Sequence, residues 1–149
     1  MFDSHKKTML PKFLIVHHSA ISRSVNANQF DAINRYHISK GWGKIGYHYL
    51  IEPNGAVQKG RADNEVGAQC LAAGMNTKSL GICLAGNFEV EKPTDQQVFA
   101  LRDLLQKLTF RYNIKPESVL GHKETGAKTL CPGHNLDMVF VRQLAGGRK

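Results

Sequence analysis

The chain has 149 residues, a net charge of +8 and 42% hydrophobic residues, which suits one soluble domain with a core large enough to need no disulfides. Three cysteines are an odd number, and Cys70 and Cys83 sit among Ala, Leu, Ile and Gly. They read as packed thiols of a reduced protein, not as a disulfide framework. The first apolar run, Phe13 to Val16, is far too short for a signal-peptide core or a membrane span. The expectation is a monomer made in the cytoplasm without a signal peptide, which would reach any extracellular wall by a separate release route. The scattered Lys and Arg suit a polyanionic partner. No helix-turn-helix, paired-cysteine finger or aromatic-basic RNA pattern appears, so no specific nucleic-acid partner is expected.

Residues 1–11 are polar and basic and read as a loose N-terminal segment, with His5 solvent-exposed. Phe13 to Val16 is a continuous apolar run too short for a helix, so it reads as a buried strand. It ends abruptly in His17 and His18, where open sheets carry their ligands. Asn28 to Lys40 reads as a helix, with Phe30, Ile33 and His37 on one stripe and Gly41 as its stop. His37 is expected to pack in the core, and Trp42 to cover the helix end.

Tyr47 to Ile51 alternates like a strand, Pro53-Asn54-Gly55 has turn chemistry, and Ala56 to Lys59 returns as the second arm of a hairpin. Alternation would put Tyr47 and Tyr49 on one face and His48 on the other. Residues 60–79 form an irregular stretch long enough to suggest a function. Leu80 to Ala85 is a second apolar strand, ended by Gly86-Asn87.

Thr94 to Tyr112 reads as a long helix opened by a Thr94–Gln97 capping box. Its core stripe would be Val98, Leu101, Leu105, Leu108 and Tyr112. Ser118 to Leu120 is a short strand that delivers His122 at its end. A terminal helix from Asn135 to Leu144 would turn Leu136, Val139 and Phe140 inward, and 146–149 is a basic tail. Strands alternating with helices, plus one hairpin, predict an α/β single domain over 12–145: a central mixed β-sheet flanked by about three helices.

The stretch from Gly121 to Gly133 carries the chemistry. It holds His122 and Cys131 nine positions apart on a loop rich in Gly and polar groups. Imidazole and thiolate are ligands that zinc favours, and a catalytic zinc takes three protein ligands and leaves one position open. A third ligand is available from the His17-His18 pair at the first strand's end. If the strands before His17 and His122 are parallel neighbours, their ends coincide.

Four ordered pieces of the chain then resemble a known family. These are Val16-His17-His18-Ser19-Ala20, Gly41-Trp42 with Gly46-Tyr47-His48-Tyr49, Asn76-Thr77-Lys78-Ser79-Leu80-Gly81-Ile82, and Gly121-His122 with Cys131-Pro132-Gly133. Together, over residues 12–140, they resemble the zinc-dependent N-acetylmuramoyl-L-alanine amidases. That family includes amidase-type phage lysozymes and animal peptidoglycan recognition proteins. The resemblance implies a Zn2+ held by His17, His122 and Cys131. It also implies hydrolysis of the amide between the lactyl group of N-acetylmuramic acid and the L-alanine of the stem peptide. His18 matches a variable position and points to the other strand face. Cys70, Cys83 and His134 match no ligand position.

The resemblance gives Tyr47 a place beside the metal, where its hydroxyl would orient water or hold the oxyanion. Amidase-type phage lysozymes carry a catalytic Lys two residues before the Cys ligand. Here that place is Thr129, with Lys128 one further back, and the His-to-Cys loop is one residue longer. Hydrolytic peptidoglycan recognition proteins use Thr there. The donor is therefore Thr129 by position or Lys128 by chemistry. The function expected is a peptidoglycan amidase, most simply a phage or prophage endolysin. A cytosolic muropeptide-recycling amidase and a non-catalytic peptidoglycan receptor are the alternatives.

Overall fold

The computed structural model describes residues 8–146. Five strands form one sheet in the order β3-β2-β4-β1-β5: β1 Phe13–His18, β2 Tyr49–Ile51, β3 Val57–Lys59, β4 Ser79–Leu84 and β5 Val119–Gly121. Strands β1 and β4, β1 and β5, and β2 and β4 pair in parallel, whereas β2 and β3 are antiparallel. The sheet is therefore mixed, as the alternation of elements predicts. Three α-helices flank it: α1 Phe30–Ser39, α2 Asp95–Tyr112 and α3 Met138–Ala145.

The central strands are buried on both faces, which is why they read as unbroken apolar runs. On one face Leu14, Val16, Leu80, Ile82 and Leu84 pack against α2 and α3 through Leu101, Leu105, Leu108 and Val141. On the other, Leu50, Cys83 and Ala85 pack with Ile33 of α1, and Ile15 packs with Cys70 and Met75. Both of these cysteines are buried free thiols.

Helix α1 starts at Phe30, where its apolar stripe begins and two residues later than the expected start at Asn28. The buried Glu52, just past β2, accepts hydrogen bonds from the Gln29 and Phe30 amides at 2.8 and 3.0 Å. A carboxylate from another element thus satisfies the first donors of the helix and complements its dipole. Gly41 follows the helix at φ +86°, a conformation that glycine reaches without Cβ strain. The α2 capping box forms as expected: Thr94 Oγ1 accepts from Gln97 N at 3.0 Å, and Gln97 Oε1 accepts from Thr94 N at 3.1 Å. The hairpin turn also forms, with the Gly55 amide donating to Glu52 O.

The stripe of α2 differs from expectation at four positions. Gln97 and Leu104 are buried, whereas Val98 and Tyr112 are only partly so. Gln97 tolerates burial because its Nε2 donates to the Ile51 and Ala85 carbonyls at the ends of two core strands.

The terminal helix is a correction. It begins at Met138, capped by the Asp137 side chain, and buries Met138, Val141 and Ala145. Val139 and Phe140 are 59% and 40% exposed. Leu136 is buried, but from the non-helical segment ahead of the cap, so its inward direction does not carry into the helical phase. In the N-terminal segment expected to be loose, residues 1–7, including His5, lie outside the described residues. Met9 is buried, and its amide donates to Asn64 O at 2.8 Å; its apolar side chain packs the chain before Lys12 onto the core. Of the basic tail at 146–149, residues 147–149 lie outside the described residues. Among the described residues, no helix is long and apolar enough to cross a membrane.

Candidate metal centre

The site sits at the C-terminal ends of β1 and β5. These strands are parallel neighbours in the register Val16↔Gly121, so the next residues, His17 and His122, emerge side by side. Their ring centroids are 4.6 Å apart in an edge-on arrangement. Cys131 completes the group because the intervening loop folds back. The Lys123 amide donates to Cys131 O at 2.8 Å. The base of that loop is pinned by Arg142 of α3, which pairs with Glu124 at 2.8 Å and donates to Val119 O at 3.1 Å.

One ligand atom from each of His17, His122 and Cys131 lies within 4.8 Å of the others, and they can hold a metal ion. His17 Nδ1 lies 3.6 Å from Cys131 Sγ. A tetrahedral zinc, about 2.05 Å from nitrogen and about 2.3 Å from sulfur, would separate those two donors by about 3.6 Å. The donor set and its spacing thus fit such an ion.

The electrostatics fit as well. Burial, then the neighbouring His122, lowers His17 to about 3, and burial lowers His122. Both imidazoles are therefore neutral at pH 7 and have lone pairs to offer. Burial pushes the Cys131 thiol up to about 12, against a hydrogen bond from the His18 amide that favours its thiolate. That amide lies 3.3 Å from Sγ, positioned to support a thiolate whose proton is released to solvent when a cation binds.

His18 turns to the opposite face, as alternation predicts, and its Nδ1 accepts from the Phe88 amide at 3.0 Å. His37 is a packed histidine whose Nδ1 accepts from the Gly46 amide at 2.8 Å, with Trp42 edge-on at 4.7 Å. His48 is buried between the Gly81 amide and Glu65 O.

Tyr47 stands beside the cluster, its ring 5.0 Å from that of His17. It packs with Ile33 and Cys83 on the α1 face, while Tyr49 joins the α2 face. This corrects the expectation that the two tyrosines share a face. Strand β2 begins only at Tyr49, so side-chain alternation does not extend back to Tyr47. Burial first, then the Cys83 and Cys131 thiols, raise the Tyr47 phenol well above its ordinary value. Its hydroxyl therefore stays protonated at neutral pH.

Thr129 is half-buried, and its Oγ1 accepts from the Cys131 amide at 3.1 Å. Lys128 is exposed.

Sequence reasoning missed Gln69, whose Oε1 lies 2.5 Å from His17 Nε2. The one local signal was Gly81 inside an apolar strand, where glycine marks a close approach. A Cβ there would meet Gln69 Cγ at 2.7 Å and Cδ at 2.8 Å.

Comparison with known proteins places the chain in a family. The family described as Amidase_2, N-acetylmuramoyl-L-alanine amidase, matches residues 7–134. The chain is 36% identical to peptidoglycan-recognition protein SC2 of Drosophila melanogaster, over 87% of this chain and 74% of that protein. It is 32% identical to the human N-acetylmuramoyl-L-alanine amidase, over 83% of this chain but 23% of that larger protein. The solved structure of the N-acetylmuramoyl-L-alanine amidase LysC from Clostridium intestinale URNW superposes with a TM-score of 0.82 at 29% identity. That superposition covers 100% of this chain and 95% of LysC. A mixed sheet shared with LysC, a His-His-Cys cluster at the ends of two of its strands and a family match over most of its length lead to one conclusion: the chain belongs to the N-acetylmuramoyl-L-alanine amidase family.

Proposed function

We propose that this protein is a zinc hydrolase that cleaves the amide between N-acetylmuramic acid and L-alanine of peptidoglycan. The observation that carries this reading is the convergence of His17, His122 and Cys131 with Tyr47 alongside. Relatives and structural neighbours named as amidases support the reaction class.

A zinc ion held by those three residues would polarise the scissile carbonyl and lower the pKa of water toward about 7. The chain's own groups do the rest. His17 and His122 contribute neutral nitrogens from fixed strand ends, and the His18 amide steadies the Cys131 sulfur. The protonated Tyr47 hydroxyl orients water or donates to the oxyanion. The Thr129 hydroxyl already accepts from the Cys131 amide, so its own proton is free to point toward the developing negative oxygen. Lys128, one residue further back, is the alternative donor by charge, but its exposure favours Thr129.

The substrate sets the workplace as the bacterial cell wall, reached after release from the cytoplasm, in the manner of a phage or prophage endolysin. An endolysin amidase from Clostridium intestinale URNW, also at a TM-score of 0.82, supports this assignment. A second reading is recognition without cleavage. One structural neighbour is a peptidoglycan recognition protein in complex with tracheal cytotoxin, a monomeric peptidoglycan of the diaminopimelic acid type. The retained Cys131 favours hydrolysis.

Mass spectrometry of purified peptidoglycan after incubation with the zinc-loaded protein separates the readings. Free stem peptides beginning with L-alanine are expected. Binding to peptidoglycan with no peptide released would replace the enzyme with a receptor. Activity on soluble muropeptides but not on intact walls would replace the endolysin with a recycling amidase.

A further inference from the structure

We propose that Gln69 is a positioning residue that locks His17 in the tautomer needed for metal binding, through a chain of hydrogen bonds anchored on a backbone carbonyl. The inference rests on the zinc reading above but is testable apart from it.

The hydrogen-bond chain is directional. Ser79 Oγ donates its single proton to Met75 O at 2.7 Å. With that proton committed, Ser79 Oγ can only accept from Gln69, whose Nε2 lies 2.9 Å away. The amide of Gln69 is thereby oriented, nitrogen toward Ser79 and oxygen toward His17. A carbonyl oxygen only accepts, so the 2.5 Å contact with His17 Nε2 requires a proton on Nε2. Neutral imidazole carries one ring proton, which leaves the Nδ1 lone pair bare. Nδ1 is the atom 3.6 Å from Cys131 Sγ, on the side where the three ligands converge.

The surrounding backbone holds this arrangement still. Asn76 Oδ1 accepts from the amides of both Gln69 and Cys70 at 2.8 Å, pinning the loop on either side of the glutamine's Cα. Gly81 leaves the space that the glutamine stem occupies. His17 itself is buried, so water cannot easily replace the acceptor. Outer partners that fix the tautomer of a metal-binding histidine are commonly worth about 10–100-fold in metal affinity. Gln69 does so as a neutral group, orienting the ring without adding charge to the site.

The test reads tautomer and affinity separately. Long-range proton–nitrogen NMR of the metal-free protein should show His17 protonated on Nε2. Gln69→Leu keeps comparable bulk and removes the acceptor. It should lose the single tautomer and weaken zinc binding about 10–100-fold in a chelator competition. Gln69→Glu restores an acceptor and should return affinity to within several-fold of wild type. Should Gln69→Leu fail to fold, Ser79→Ala gives the same reading. It frees the Gln69 amide to turn over, so the Nε2-protonated form should no longer be unique. A wild-type His17 protonated on Nδ1, or a folded Gln69→Leu protein with unchanged tautomer and zinc affinity, overturns the proposal. A fixed Nε2 tautomer in a protein that binds no zinc would sink the zinc reading and leave the lock standing.

Discussion

Cys131 Sγ lies 3.6 Å from His17 Nδ1, although 114 positions separate the two residues in the chain. The site therefore ties the first strand of the sheet to a loop near the end of the chain. A metal bound there would join segments that unfolding separates, so it should stabilise the fold by mass action. The effect would be about 4 kcal/mol at a thousandfold excess over its dissociation constant. Zinc is expected to raise the melting temperature, and a chelator to lower it and abolish activity. Cys131→Ala should lose both the bound zinc and the thermal shift. Its metal-free stability should stay within about 1 kcal/mol of metal-free wild type, since the side chain lies outside the apolar core. Metal analysis and calorimetry check this, and full activity at zero metal content would refute the zinc reading.

Tyr47→Phe keeps the ring that packs against Ile33 and Cys83 and removes only the hydroxyl. Losing one positioned donor to the transition state costs on the order of a hundredfold in turnover. Zinc content and wall binding should match wild type, because the phenol is not a ligand. Unchanged turnover would make Tyr47 a packing residue only.

Thr129 and Lys128 are separated by a pair of variants. Thr129→Val removes the oxygen that accepts from the Cys131 amide together with the proton available to substrate. Turnover is expected to fall on the order of a hundredfold. Lys128→Met removes an exposed, salt-screened charge and should change turnover by less than about threefold. Zinc content must be measured in both. A large loss in Lys128→Met alone, with zinc retained, would transfer the donor role to the lysine.

Asp63, remote from the metal cluster, gives an acid-stability prediction. Its carboxylate accepts from Tyr49 at 2.6 Å and from Tyr112 at 2.5 Å, and it pairs with Lys59 and Arg111. Burial alone would raise its pKa, but the hydrogen bonds from Lys59, Tyr112 and Tyr49 hold it at about 2. A carboxyl below its ordinary value of 3.8 stabilises the fold above that value. The contribution disappears as pH falls through about 2. Asp63→Asn should cost on the order of 1–3 kcal/mol at pH 7, with the gap to wild type narrowing below pH 4. Urea unfolding across this pH range measures it, and a gap independent of pH would exclude the carboxylate as its source.

Much of the fold was legible because its signals are local. The Thr94–Gln97 box, the Gly41 stop and the Pro53-Asn54-Gly55 turn each lie within a few residues, and each formed as read. The phase of α3 was misread because Leu136 is buried from a segment that Asp137 holds outside the helix. Apolar spacing cannot show where a helix begins unless the cap is recognised.

From its own residues, the chain already placed His17 and His122 after apolar strand-forming runs and set Cys131 on a loop that follows. Periodicity and turn chemistry act over one or two turns of backbone, so such features are written locally. The tertiary structure decided which runs became neighbours. The parallel β1–β5 pairing brings the two histidines together, and the fold-back between Lys123 and Cys131 adds the sulfur. It also turned Tyr47 away from the face of Tyr49 and brought Gln69 to His17 across 52 positions. Those outcomes depend on which distant surfaces pack and which buried polar groups find partners. Neither is encoded in the spacing of residues along a single segment.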